Sequence, residues 1–267
     1  MEVLPMKENT QGVLYIATGK KYVAASINSA KSVIHHCKGG MSLSLCCDKE
    51  NEREAKESGI FDQVMCIKNP HIRSKVDYLQ FTPYERTLYL DADTIVVADI
   101  TEMFELLNRF DMAMAHAHLR NIEGTTQLWK EHIPYSFPQH NGGVILYRWN
   151  GKIEQLCKDW SRYYHEAGFA KDQVTLRELL WKSDIQLYVL PPEYNMRYFW
   201  KWAFMHKNEA KPRILHYWTF AKNRFDHPIY FWKLKYGKFK YNFPLSFNIF
   251  RQRISAKELE KNKWSVD

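Results

Sequence analysis

Tyr84-Glu85-Arg86-Thr87-Leu88-Tyr89-Leu90-Asp91-Ala92-Asp93-Thr94 is the stretch on which the fold turns. Leu88-Tyr89-Leu90 is short and apolar, as a strand buried on both faces must be, and Ile95-Val96-Val97 is apolar again after the triplet. Two carboxylates therefore stand at the end of a core strand. Residues two apart in extended backbone project the same way, which brings the side chains of Asp91 and Asp93 together. Left alone they repel. A hard divalent cation removes the conflict, and oxygen ligands suit Mg²⁺ or Mn²⁺. The bland alternative is that Asp93 caps a turn and Asp91 pairs with an arginine.

The flanking sequence alternates strands and helices. Residues 13–17 form an apolar run that Thr18-Gly19 breaks, and residues 22–37 carry Val23, Ile27, Ala30 and Ile34 at helical spacing. Residues 41–47 read as a second strand, with Asp48 placed to cap the charged helix after it. Residues 63–67 read as a third strand, and residues 74–81 as a helix that Pro83 stops. Beyond the triplet the pattern predicts a strand at 94–97, a helix at 101–107 and a strand at 112–117. A loop over 118–140 follows, and Asn141-Gly142-Gly143 leads into a strand at 144–147. Helices at 153–165 and 172–181 and strands at 187–190 and 214–217 complete the pattern. This is the rhythm of an α/β domain built on a parallel sheet. Ligands of such sheets bind beyond the carboxyl ends of the strands, where Thr18 and Asp91 both lie.

A chain of 267 residues that is 45% hydrophobic can bury a sizeable core as one domain. The net charge of +8 favours anionic partners: nucleic acid, acidic lipid or phosphorylated substrates. The cysteines Cys37, Cys46, Cys47, Cys66 and Cys157 fit no zinc spacing and read as reduced thiols of a cytoplasmic protein. No run approaches the roughly 18 apolar residues that span a bilayer, and residues 1–11 lack the apolar region of a signal peptide. A Walker-type phosphate loop and a Ser-His-Asp order are both missing, which argues against P-loop nucleotide hydrolysis and serine hydrolysis.

The stretch 84–94 resembles the metal-site segment of glycosyltransferase family 8, which includes glycogenin and bacterial lipooligosaccharide galactosyltransferases. Other segments resemble the family in the family's order. The first strand ends at Thr18, and Tyr22 matches a tyrosine that stacks on uracil. Lys75 matches a donor-touching lysine, and Asn141-Gly142-Gly143 is similar to an Asn-Ser-Gly segment near the donor sugar. Asp172-Gln173 matches an Asp-Gln pair close to the reacting carbon, and residues 190–195 a Leu-Pro…Tyr-Asn turn. His216 in Leu215-His216-Tyr217 matches the third protein ligand of the metal, and Lys222 the diphosphate lysine. Thr219 stands where the family has glycine.

The resemblance implies one GT-A-type, nucleotide-diphospho-sugar transferase domain: α/β, with a mixed, mostly parallel central sheet flanked by helices. It implies a metal-dependent, retaining transfer of a hexose from a UDP-sugar to the hydroxyl of a glycan, a lipid-linked sugar or a protein. Asp91, Asp93 and His216 would hold Mn²⁺ or Mg²⁺, and Lys75 and Lys222 the diphosphate. Thr18, Tyr22 and Ala92 would line the nucleotide, while Asn141, Gly142, Asp172 and Gln173 would face the sugar. The glycines would let a ligand approach the backbone, and Gln173 would offer an amide beside an oxocarbenium-like carbon.

Residues 1–224 read as the catalytic domain and 225–267 as a basic aromatic extension. Phe231-Trp232-Lys233-Leu234-Lys235-Tyr236 could lie on an anionic membrane, which makes peripheral membrane contact an expectation and nucleic acid an unexpected partner. A homodimer stays open. Two rival readings are a sugar-nucleotide pyrophosphorylase and a non-catalytic nucleic-acid-binding protein. Thr18-Gly19-Lys20-Lys21-Tyr22 is a poor match to the Gly-rich loop of the first.

Overall fold

The computed structural model describes residues 7–37, 39–197, 210–218 and 220–222, so the aromatic extension lies outside the described residues. The sheet is built from β1 (Lys7–Ala17), β2 (Ser42–Asp48), β3 (Gln63–Ile67), β4 (Tyr84–Leu90), β6 (Met112–His116), β7 (His140–Arg148) and β8 (Leu187–Val189). Between β4 and β6 the chain makes β5 (Thr94–Val96), and β9 (Ile214–His216) comes last. The seven-stranded sheet has the order β3-β2-β1-β4-β7-β6-β8. Only β7 runs against the other six, so the sheet is mixed and mostly parallel.

Burial on both faces explains the apolar runs. Val13 and Tyr15 of β1 point into one core cluster and Leu14 and Ile16 into another, on opposite faces of the sheet. Leu88 and Leu90 of β4 share the first cluster and Tyr89 the second. Cys46 and Cys47 divide the same way, and all five cysteines are free thiols. One layer of helices is α3 (Lys75–Tyr78), α5 (Gly151–Ala167) and α6 (Gln173–Lys182), and α5·α6 and α3·α5 pack on each other. The Asn150 side chain caps α5 by accepting from the Ile153 N–H at 3.0 Å. The remaining helices are α1 (Lys20–His36), α2 (Glu52–Glu57) and the short α4 (Glu123–Thr126).

Three local readings change. The buried face of α1 keeps Val23 and Ala30, with Ile27 packed against the core, but not Ile34, which is 52% exposed; Ser26, Ser29 and Ser32 are fully buried beside them. Small hydroxyl residues let α1 approach β5, and their oxygens take up its polar groups. Ser29 bonds Thr94 at 2.9 Å, and Ser32 accepts from the Val96 N–H at 2.9 Å. Asp48 is not a helix cap; its carboxylate accepts from the Gly19 N–H at 2.8 Å and also from Asn51. The helix expected at 101–107 is present as a 3₁₀ helix, Thr101–Asn108. Finally, Asn141, Gly142 and Gly143 lie within β7, at a register shift between Met114 and His116 of β6. Such a bulge re-aims the side chains around it.

Candidate active site

The carboxyl ends of β1 and β4, the start of α1 and the loop over 71–75 enclose a cleft of about 240 Å³. Thr18, Tyr22, Lys75, Asp91, Ala92 and Asp93 all line it, together with Tyr89 and Arg73. Tyr22 is 40% exposed, as a ring free to stack on a ligand must be. Thr18 donates to the His71 carbonyl at 3.3 Å and so ties the β1 end to the 71–75 loop.

His216 joins the acidic triplet through strand pairing. β5 and β9 form an antiparallel ribbon that sets Thr94 opposite His216, and the Tyr217 N–H donates to the Asp93 carbonyl at 2.9 Å. Nε2 of His216 lies 3.2 Å from Asp93 Oδ1 and 3.7 Å from Asp91 Oδ2. The facing ligand atoms of Asp91, Asp93 and His216 all lie within 4.8 Å of one another. His216 is 2% exposed, and its ring fills the space a side chain on Gly143 would occupy. Gly143 thus admits a protein side chain rather than a ligand. Gly142 faces the Lys75 amino group, 3.2 Å from where its Cβ would be.

Hydrogen bonds fix the His216 tautomer. The Gly143 N–H donates to Asn141 Oδ1, so that atom is an oxygen. The Asn195 amide N–H donates to the same oxygen at 3.0 Å, which turns Asn195 Oδ1 towards His216 Nδ1, 2.8 Å away. Nδ1 must carry a proton, and Nε2 is the nitrogen that faces the two aspartates. Two carboxylates and an imidazole nitrogen facing one point form a donor set that fits a divalent cation such as Mn²⁺ or Mg²⁺.

Electrostatics bind the rest of the site together. The Lys75 Nζ lies 3.3 Å from Asp172, 3.4 Å from Asp91 and 2.9 Å from the Gly142 carbonyl. Burial alone would lower its pKa, but the charges of Asp172 and Asp91 outweigh that and hold it above the ordinary lysine value. The Tyr89 hydroxyl donates to Asp91 at 2.5 Å. Burial, then the Asp91 charge, keep that hydroxyl protonated well above its usual range. Burial would raise Asp93, yet His216 beside it and Arg197 nearby hold its carboxyl below the ordinary range.

The sugar-side residues are brought in unequally. Asp172 is 2% exposed and reaches the triplet only through Lys75, with Arg73 3.7 Å away. Gln173 begins α6 and does not line the cleft. Ala221 packs with Ala25 and Ala92, which docks the turn Phe220–Lys222 beside the triplet, although nothing of the Lys222 side chain is described. Sequence reading missed Arg197, whose Nη1 lies 2.8 Å from His216 Nε2, and the part Asn195 plays. It also missed the anchor of the 71–75 loop: Asp77 accepts from His71 at 2.6 Å, from His165 at 3.0 Å and from Ser161 at 2.5 Å. Pairings across four elements carry no local sequence pattern.

The fold has known counterparts. Mouse xyloside xylosyltransferase 1 in its apo form superposes with a TM-score of 0.53 at 14% identity, over 78% of this chain and 97% of that one. The galactosyltransferase LgtC, solved with donor and acceptor sugar analogs, gives 0.58 at 15% identity over 78% and 87%. The glycosyltransferase GlyE of Streptococcus pneumoniae TIGR4 gives 0.52 at 22% identity over 78% of this chain and 55% of that one. No curated protein sequence matches the chain. The model of glycosyl transferase family 8 matches residues 66–223, from β3 through the triplet to the end of the described chain. A match over more than half of the sequence, on a GT-A fold, makes the chain a member of glycosyl transferase family 8 and a glycosyltransferase.

Proposed function

We propose that this glycosyltransferase uses a divalent metal to move a hexose from a UDP-sugar to an acceptor hydroxyl, with retention at the anomeric carbon. The observation that carries this reading is the convergence of Asp91, Asp93 and Nε2 of His216 at the mouth of a cleft lined by Tyr22 and Thr18. Retention rests on the family resemblance.

A bound cation would supply Lewis-acid neutralisation of the diphosphate leaving group. Asp91, Asp93 and His216 would hold it, with Tyr89 orienting Asp91 and Asn195 orienting His216. Tyr22 would stack on the base and Thr18 would bound the nucleoside. Lys75 would keep Asp91 and Asp172 from repelling each other, and Lys222 would add positive charge at the phosphates. Asn141, Gly142, Asp172 and Gln173 would frame the sugar. The acceptor is a glycan, a lipid-linked sugar or a protein; peripheral membrane contact through 225–267 and a homodimer belong to the same proposal as separate expectations.

Purified protein with Mn²⁺ is expected to release UDP from one or more common UDP-sugars and to stop when EDTA is added. No release from any of them would overturn the donor assignment. Asp93→Asn is expected to abolish metal-dependent UDP binding in calorimetry, and unchanged binding would remove the metal assignment.

A further inference from the structure

A chain of buried hydroxyls ends on the acidic triplet. The Thr94 hydroxyl lies 2.8 Å from the Asp91 carbonyl and 2.9 Å from Ser29 Oγ, which lies 3.0 Å from the Tyr15 hydroxyl. A carbonyl only accepts, so Thr94 donates to Asp91. Its one proton is then used, so Ser29 donates to Thr94 and Tyr15 to Ser29. All three residues are 0% exposed, so removing one hydroxyl leaves a buried donor or acceptor unmatched.

The Asp91 carbonyl also accepts from the Thr94 N–H at 3.2 Å, which closes a turn with Ala92 and Asp93 at its centre. Ser32 holds the next step of β5, accepting from the Val96 N–H at 2.9 Å while it donates to the Ser29 carbonyl. Helix α1 therefore grips β5 at Thr94 and at Val96. Across the ribbon, Thr94 stands opposite His216. The carboxylates of Asp91 and Asp93 repel each other, and the hydroxyl at 2.8 Å is the shorter of the two bonds that keep their turn closed. We propose that Thr94, held in place by Ser29, is the positioning residue of the cation site: its hydroxyl fixes the turn from which Asp91 and Asp93 face one point. This rests on the metal reading above. Thr94 itself gives no atom to the cation.

The test is Mn²⁺ titration of the full chain, with free Mn²⁺ read by electron paramagnetic resonance and thermal unfolding measured on the same samples. Thr94→Val keeps the branched shape and removes the hydroxyl. It is expected to bind Mn²⁺ roughly tenfold more weakly, the low end of the loss seen when partners of metal ligands are removed. Thr94→Ser restores the donor and should return close to wild-type affinity. Thr94→Ala carries the Thr94→Val expectation should that variant fail to fold. Thr87→Val removes an equally buried strand hydroxyl whose partners, Thr82 and Tyr84, do not line the cleft. It should lose stability and keep its Mn²⁺ affinity. Wild-type affinity in Thr94→Val, no rescue by Thr94→Ser, or an equal loss in Thr87→Val overturns this inference alone, provided that Asp93→Asn abolishes binding. No Mn²⁺ binding by the wild type, or full binding by Asp93→Asn, overturns the metal reading and the inference with it.

Discussion

The imidazole of His216 stands where a side chain on Gly143 would be: a Cβ there would meet His216 Cε1 at 1.9 Å. No flexible side-chain end is available to yield, since His216 is held by Asn195 and by strand pairing to β5. Gly143→Ala should therefore expel the ring or shift β7. Overpacking of this kind costs about 1–3 kcal/mol. The expected result is a modest fall in unfolding stability together with loss of Mn²⁺ binding. Full Mn²⁺ affinity in Gly143→Ala would show that His216 is not part of the cation site.

Asn195 should act through His216 rather than on a ligand. It accepts the Nδ1 proton and is itself oriented by Asn141. Asn195→Leu should lower Mn²⁺ affinity roughly 10- to 100-fold, as loss of partners to metal ligands does. Asn195→Asp, which also accepts, should restore most of it. The ¹⁵N spectrum of His216 should report a protonated Nδ1 in the wild type and a mixed tautomer in Asn195→Leu. Unchanged spectra would remove Asn195 as the positioning residue.

How far these relationships were legible in the sequence follows from their range. Strands show because their apolar runs are local, so β3 and the ends of β1 and β4 are readable directly. The α1 face was legible through Val23, Ile27 and Ala30 and missed where serines complete it: the hydroxyls serve β5, and polarity in sequence does not reveal a partner many residues away. The triplet and His216 were legible through resemblance, and Arg197 was not, since Met196-Arg197 carries no motif. Gly143 was recognised as a close-approach position, but its neighbour proved to be an imidazole of the same chain.

Lys75 neutralises the buried carboxylate of Asp172 and the half-buried one of Asp91, which makes it a stability residue as well as a site residue. Lys75→Met leaves Asp172, at 2% exposed, with only the distant Arg73. Breaking a buried pair from one side costs about 3–5 kcal/mol. Urea unfolding should show a loss of that order, and Lys75→Met with Asp172→Asn should recover part of it. A double variant no more stable than the single one would mean that the Asp172 charge is not the source of the loss.

His140 should give the fold a definite acid limit. The ring is 3% exposed, and neither nitrogen has a hydrogen-bond partner among the described residues. Burial, and secondarily the neighbouring His116, push its pKa down from 6.5 to about 4. The folded value lies below the unfolded one, so on acidification the unfolded chain takes up this proton first. Its contribution is complete above about pH 6.5 and is lost as pH falls towards 4, a span worth about 3 kcal/mol. His140→Phe keeps an aromatic ring beside Phe137, 5.9 Å away, and cannot be protonated. Unfolding stability of the wild type measured from pH 7 to pH 4 should fall more steeply than that of His140→Phe. Parallel curves would mean that His140 is charged, and therefore solvated or paired, in the folded protein.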